Sequence, residues 1–174
     1  MTALHAEPQA AATTAGGLSL VEHPADKLGR LVPHYDGIAF LAAIKSGELP
    51  PPPIAALLGF EIRDIAAGEV TFALDPSLEH YNPLGMVHGG VAATLLDTVM
   101  GCALHTVLPK GTGYSTLDIS VRYVRPMSVE THTVLATGTL LHKGRRTATA
   151  EARLVAADTG KLIATGTSTL LIQS

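Results

Sequence analysis

The distribution of apolar and polar positions divides the chain into segments of different period. From Gly89 to Val107 it is apolar almost all round, at Val91, Ala92, Leu95, Leu96, Val99, Met100, Ala103 and Leu104, which predicts a helix buried on nearly every side. At 1.5 Å per residue such a helix is about 28 Å long, enough to cross a twisted sheet of several strands. Around it the period changes to two. Phe60 to Arg63 and Val70 to Leu74 alternate across a turn at Ala67-Gly68, predicting a hairpin or one long bent strand. After the Lys110-Gly111-Thr112-Gly113 loop, Leu117, Ile119, Val121 and Tyr123 are expected on one face and Thr116, Asp118, Ser120 and Arg122 on the other. Further strands are predicted over Thr131 to Leu141, across Ala148 to Leu154, and over Leu162 to Ile172, with turns at Lys143-Gly144 and Asp158-Thr159-Gly160. In the last strand Ala164, Gly166 and Ser168 are tiny, leaving room for a helix to sit close.

Ahead of the hairpin the signals are helical. Asp36 is a good N-cap, Phe40, Leu41 and Ile44 share one face of the helix it opens, and Gly47 ends that helix. Pro50 to Pro53 make a stiff connector, and Ile54 to Leu58 a short apolar turn. Residues 1–35, rich in Ala, Thr, Gly and Pro, lack sustained periodicity and are expected to be a flexible extension. The expected organisation is therefore an extension over 1–35, a helical lead-in over 36–58 and one domain over 59–174. Strand, strand, long helix and then four strands joined by short turns is an α+β arrangement, one helix packed against one antiparallel sheet. Any apolar surface of that helix left open by its own sheet needs a partner, and dimerisation supplies one.

Composition narrows the class. The chain has 174 residues, 47% of them hydrophobic but only 4% aromatic and none Trp, so Ala, Val, Leu and Thr must fill the interior and backbones must pack closely. The longest apolar run, Val91 to Leu108, is broken by Asp97 and His105, which argues against a membrane span. No export signal is visible, and the one cysteine, Cys102, cannot pair within the chain; a reducing cytoplasm fits. The net charge is −3, yet Lys and Arg concentrate after Pro109, where they could meet a phosphate-bearing ligand. They are too sparse for a nucleic-acid surface, and the N-terminal region has few bases and no helix-turn-helix.

The candidate chemistry lies where the long helix begins. Gly89 and Gly90 expose backbone N–H groups with no partner inside the helix, backed by the positive end of its dipole. This is a site for developing negative charge, and an oxyanion hole is its catalytic use. Asp97, a carboxylate in an apolar helix, must be hydrogen-bonded, paired or protonated, a cost tolerated at functional sites. Asn82 stands six positions before His88 and Asp97 nine after it. Gly89 and Asp97, eight residues apart, are separated by about 12 Å along the helix, too far to act on one carbonyl within one chain. Two such helices packed antiparallel about a two-fold axis bring the Gly89 end of one to the Asp97 level of the other.

Asn82-Pro83, His88-Gly89-Gly90 with Asp97 beyond, Gly144-Arg145-Arg146-Thr147-Ala148 and Asp158-Thr159-Gly160-Lys161-Leu162-Ile163-Ala164 together resemble the hotdog-fold acyl-CoA thioesterases of the PaaI-like type, over roughly residues 55–172. The resemblance implies a long helix wrapped by a curved antiparallel sheet, dimers that often pair into tetramers, and sites at the dimer interface. It implies an acyl-CoA substrate and no cofactor, coenzyme A being part of the substrate. Asp97 would be general base or nucleophile and Gly89 the oxyanion donor. Asn82 would orient water or the thioester carbonyl, His88 would hold the loop and polarise the site, and Ser115 would supply an assisting hydroxyl. Lys143, Arg145 and Arg146 would meet the coenzyme A phosphates, with Gly90 also on the coenzyme A side.

Other readings are weaker. His-Gly-Gly also occurs in the oxyanion loop of α/β-hydrolases, but Gly113-Tyr114-Ser115-Thr116-Leu117 lacks the second glycine of a nucleophile elbow. The histidines at 80, 88, 105, 132 and 142 show no ligand spacing, so no metal is expected. A non-catalytic acyl-CoA sensor and an acyl-thioester hydratase or dehydratase remain as alternatives, the latter requiring His88 and Asp97 to share proton transfer.

Overall fold

The structure is a computed structural model and describes residues 24–173, with side chains described from Leu28. Its first helix, α1 (Pro24–Leu31), is followed by a 3-10 turn at Val32–His34. The extension expected through residue 35 is therefore helical from Pro24, and Leu28 buries its side chain in the core; residues 1–23 lie outside the described part. Helix α2 (Gly37–Ser46) starts where Asp36 Oδ1 accepts the Ala39 N–H at 2.9 Å and stops at Gly47, whose φ of +80° suits a left-handed cap. Phe40 and Leu41 are buried and Ile44 packs on the same core. Helix α3 (Pro53–Leu58) follows the proline connector and ends at Gly59.

Six strands follow in the order the period-two pattern predicts: β1 (Phe60–Ala66), β2 (Glu69–Leu74), β3 (Gly113–Tyr123), β4 (Val134–Lys143), β5 (Thr147–Ala156) and β6 (Leu162–Gln173). They form one antiparallel sheet ordered β1-β2-β4-β5-β6-β3. The long helix, α4 (Gly89–His105), lies against one face and touches β2 through β6. This is a hotdog fold, with the N-terminal helices added beside it.

Small residues set how closely helix and sheet approach. A Cβ on Gly138 of β4 would fall 2.3 Å from the Val99 carbonyl oxygen, and one on Gly166 of β6 would touch Met100 and Leu96. Ala164, Gly166 and Ser168 are buried beneath the helix as their size suggests. Helix α4 stops at His105 rather than Val107. The Thr106 hydroxyl donates to the Ala103 carbonyl and accepts the Gly68 N–H of the β1–β2 turn, both at 2.7 Å, so the chain turns there to meet the hairpin. Nor is α4 closed on every side: Ala93, Thr94, Asp97 and Thr98 are only half-buried, and Gly90 is exposed.

One register shift alters the face assignment in β3. Thr116 pairs with Leu170 and Asp118 with Thr169, leaving Leu117 as a bulge. Ile119, Val121 and Tyr123 face the helix as the alternation predicts, opposite Ser168, Gly166 and Ala164. Before the bulge the parity reverses, so Thr116 faces the helix with them and Ser115 faces away.

Candidate active site

The loop into α4 is held by side chains with capping chemistry. Asn82 Oδ1 accepts the Leu84 N–H at 2.9 Å and the Met86 N–H at 3.4 Å, while the Asn82 N–H donates to the Met86 carbonyl. Its oxygen closes the loop, and its side-chain NH2 is left for another acceptor. His88 is the N-cap of α4: Nδ1 accepts the Gly90 N–H at 2.8 Å, and its backbone N–H donates to the His80 carbonyl. With Nδ1 accepting, the ring carries its proton on Nε2. The Val91 N–H turns back to the His88 carbonyl. Of the first N–H groups of the helix, the one on Gly89 therefore has no acceptor among the described residues.

Gly89 is glycine for a packing reason as well. The Tyr123 hydroxyl donates to its carbonyl at 3.0 Å, and a Cβ there would meet the Tyr123 ring at 3.2 Å. A Cβ on Gly90 would sit 2.9 Å from His88 Nδ1, so the cap requires that glycine. Asn82, His88, Gly89 and Tyr123 line a pocket of about 360 Å³, completed by Met86, the segment 124–127 and Ile163. Its lining includes no carboxylate.

Asp97 stands two turns along α4 on the helix's open flank. Thr116 Oγ1 donates to Asp97 Oδ1 at 2.8 Å. Ser115 does not share that position. It lies on the far face of β3, where its hydroxyl accepts from Gln173 Nε2 at 3.1 Å, and with the bulge at Leu117 it is Thr116 that stands beside Asp97 of the same chain. His88 spends Nδ1 on the cap at the Gly89 end of α4, two turns from Asp97 of its own chain.

Lys143, Arg145 and Arg146 are exposed at the β4–β5 turn and form no ion pair among the described residues. The turn lies beside the end of β6, where the Ile172 N–H donates to the Arg146 carbonyl. Ala148 at its base pairs with Leu170, which pairs with Thr116. The basic turn is thus two strand spacings, about 10 Å, from the row that holds Asp97. Asp97, at the middle of α4, contacts the row of Thr116, whereas Asn82, His88 and Gly89 lie at the N-terminal end of that helix.

Comparison with known proteins bears on this arrangement. The family model of the thioesterase superfamily matches residues 84–163. Human acyl-coenzyme A thioesterase 13 is 34% identical over 104 residues, which is 60% of this chain and 73% of that protein. The chain belongs to the thioesterase superfamily. A Halobacterium salinarum protein named as an esterase is 37% identical over 78 residues, 42% of this chain and 52% of its own length, so the match spans about half of that relative. Among solved structures, a phenylacetic acid degradation-related protein of Ralstonia eutropha JMP134 is 28% identical with a TM-score of 0.68, covering 75% of this chain and 98% of that one.

Two residues at the site of this superfamily member escape a reading of sequence alone, Thr116 and Tyr123. Leu117, Ile119, Val121 and Tyr123 alternate regularly with Thr116, Asp118, Ser120 and Arg122 in the sequence, so hydropathy gives no sign of the bulge at Leu117. Nothing local ties Tyr123 to Gly89, 34 positions earlier. Among the described residues no three His, Cys, Asp or Glu side chains converge as metal ligands, and no helix is long and apolar enough to cross a membrane.

Proposed function

We propose that the chain hydrolyses acyl-CoA thioesters to the free acid and coenzyme A at two equivalent sites of a homodimer. The observation that carries this reading is the division of labour along α4: an unpartnered N–H at Gly89 and a carboxylate at Asp97, about 12 Å apart on one rigid helix. In an antiparallel pair of helices the Gly89 N–H of one subunit and the Asn82 NH2 beside it hold the thioester carbonyl oxygen. Asp97 of the other subunit acts on the carbonyl carbon.

The donors match the charge that develops. As oxygen adds to the carbonyl carbon, the C=O electrons move onto oxygen, and the N–H groups already point there without reorganisation. Collapse of the adduct breaks the C–S bond and releases the coenzyme A thiolate, a good leaving group that needs little help. The carboxylate enters by one of two routes. As general base it takes a proton from water, which forms the new C–O bond directly. As nucleophile it forms a mixed anhydride that water then opens. Thr116 fixes the rotamer of Asp97 by donating to Oδ1, leaving Oδ2 toward the substrate. Lys143, Arg145 and Arg146 supply cations for the coenzyme A phosphates. The reaction as proposed draws on no cofactor.

Thiol release across an acyl-CoA panel tests the reading. Asp97→Ala and Asp97→Asn are expected to lose turnover by about 10²-fold or more while remaining folded dimers; equal turnover in wild type and Asp97→Ala would overturn it. After a single turnover in ¹⁸O-water, label in Asp97 identifies a mixed anhydride opened at the Asp97 carbonyl. Label confined to the released acid fits general-base catalysis or an anhydride opened at the acyl carbonyl, and trapping with hydroxylamine separates those two.

A further inference from the structure

Tyr123 ties the sheet to the start of α4 at the residue whose N–H is left open. It ends β3 opposite Ala164 of β6, and the chain just beyond it is fastened to the same strand. The Val124 and Arg125 N–H groups both donate to the Ile163 carbonyl, at 2.8 and 3.0 Å, and Arg125 Nη1 donates to the Leu162 carbonyl at 2.7 Å. The phenol therefore projects from a fixed point of the sheet. Its hydroxyl donates to the Gly89 carbonyl at 3.0 Å, and its ring comes within 3.2 Å of where a Gly89 Cβ would stand. Tyr123 itself is 54% exposed, so little of the core depends on it.

This contact meets a difficulty that glycine creates. Gly89 lacks a Cβ and has the widest choice of φ and ψ, so the direction of its N–H has to be fixed by its neighbours. On the N-terminal side His88 is held by its own N–H, which donates to the His80 carbonyl, and by its carbonyl, which accepts the Val91 N–H. On the C-terminal side the peptide joining Gly89 to Gly90 is clamped at both ends. Its N–H goes to His88 Nδ1 at 2.8 Å and its carbonyl to the Tyr123 hydroxyl. A hydrogen bond accepted by a peptide carbonyl strengthens the one donated by the N–H of the same peptide, so the phenol also tightens the His88 cap. Removing the hydroxyl leaves that peptide without its link to the sheet.

We propose that Tyr123 is a positioning residue for thioester hydrolysis, holding the Gly89 N–H, through the adjoining peptide, in the direction that the developing oxyanion requires. The proposal rests on the reading of that N–H as the oxyanion donor. A donor aimed in advance stabilises the tetrahedral adduct without reorganisation, whereas a misaimed one binds the ground state nearly as well and the adduct less. The effect therefore belongs to kcat rather than to KM.

Tyr123→Phe keeps the ring against Gly89 and removes only the donor. The variant and wild type are compared by steady-state kinetics on hexanoyl- and decanoyl-CoA, with melting curves to confirm folding. kcat is expected to fall about tenfold, with KM changed less than about twofold and the melting temperature unchanged. Two inhibitors separate positioning from contact with substrate: trifluoroacetonyl-CoA, whose ketone hydrates to a tetrahedral diol, and acetonyl-CoA, whose ketone stays planar. The variant is expected to bind the first about tenfold more weakly and the second within about twofold of wild type. Equal weakening of both would make the phenol a substrate contact and overturn the proposal. Normal kcat in Tyr123→Phe, with an active wild type, overturns the positioning role alone and leaves thioester hydrolysis standing. A wild type that hydrolyses no thioester removes the oxyanion reading of Gly89, and this proposal falls with it.

Discussion

Ser115 and Thr116 carry the same hydroxyl chemistry on adjacent residues, and the bulge at Leu117 alone decides which one meets Asp97. A hydrogen bond to a carboxylate contributes about 1.5–3 kcal/mol and also selects its rotamer. Thr116→Val keeps the shape and removes the donor, so kcat on acyl-CoA is expected to fall about tenfold or more. Ser115→Ala is expected to stay within about twofold of wild type, and Thr116→Ser to keep most of the rate. Steady-state kinetics on the three variants checks this, and a larger loss at Ser115 than at Thr116 would place the assisting hydroxyl on the other face. His105 poses a different residue-scale question. It closes α4 between the rings of Phe40 and Tyr114, each centroid 5.6 Å away, and burial lowers its pKa. The folded state thus favours the neutral ring, and its stability is complete above the unfolded value of about 6.5. It is lost as pH falls through the folded value, because the unfolded chain takes up the proton first. Urea midpoints at pH 7.5 and 5.5 are expected to drop more for wild type than for His105→Phe.

At the scale of elements, the joint between α4 and the sheet depends on absent side chains. Gly138→Ala places a methyl 2.3 Å from the Val99 carbonyl, a contact with backbone that no rotamer change relieves. Its expected cost is about 1–3 kcal/mol, read as a lower melting temperature with the fold retained. The small residues of β6 announce such a joint in the sequence because Ala164, Gly166 and Ser168 recur with period two. Gly138 stands alone among Thr137, Thr139 and Leu140 and gives no such signal. The same distinction runs through the site. Element order, the Asp36 and Gly47 caps and the separation of Gly89 from Asp97 are legible because each follows from local residue chemistry or helix rise. The bulge at Leu117, the choice of Thr116 and the Tyr123 contact to Gly89 are not, because register between β3 and β6 is set by pairing across some fifty positions of chain. His88 is intermediate: its placement before two glycines suggests a cap, but that Nδ1 takes Gly90 and thereby leaves Gly89 free is a matter of geometry.

Among the described residues β1 and β3 form the two edges of the sheet, and α4 has one flank that is only half-buried. β3 ends the sheet, and Leu117, Ile119 and Tyr123 on it are exposed. The half-buried flank of α4 carries Ala93, Thr94, Asp97 and Thr98. An isologous dimer across this region would cover both and set each Asp97 near its partner's Gly89 end, each site drawing on two chains. That arrangement has a consequence no single-chain site shares. Asn82→Ala and Asp97→Ala are each expected to be nearly inactive as homodimers. When the two are unfolded together and refolded as a mixture, half the dimers are mixed, and each mixed dimer holds one site with both wild-type residues and one with neither. Activity should therefore return to about a quarter of wild type under random pairing. Differently tagged subunits, purified as the mixed species, should give about half. If both residues served one site within one chain, every site in the mixture would lack one of them and the refolded mixture would stay at the background of its parents.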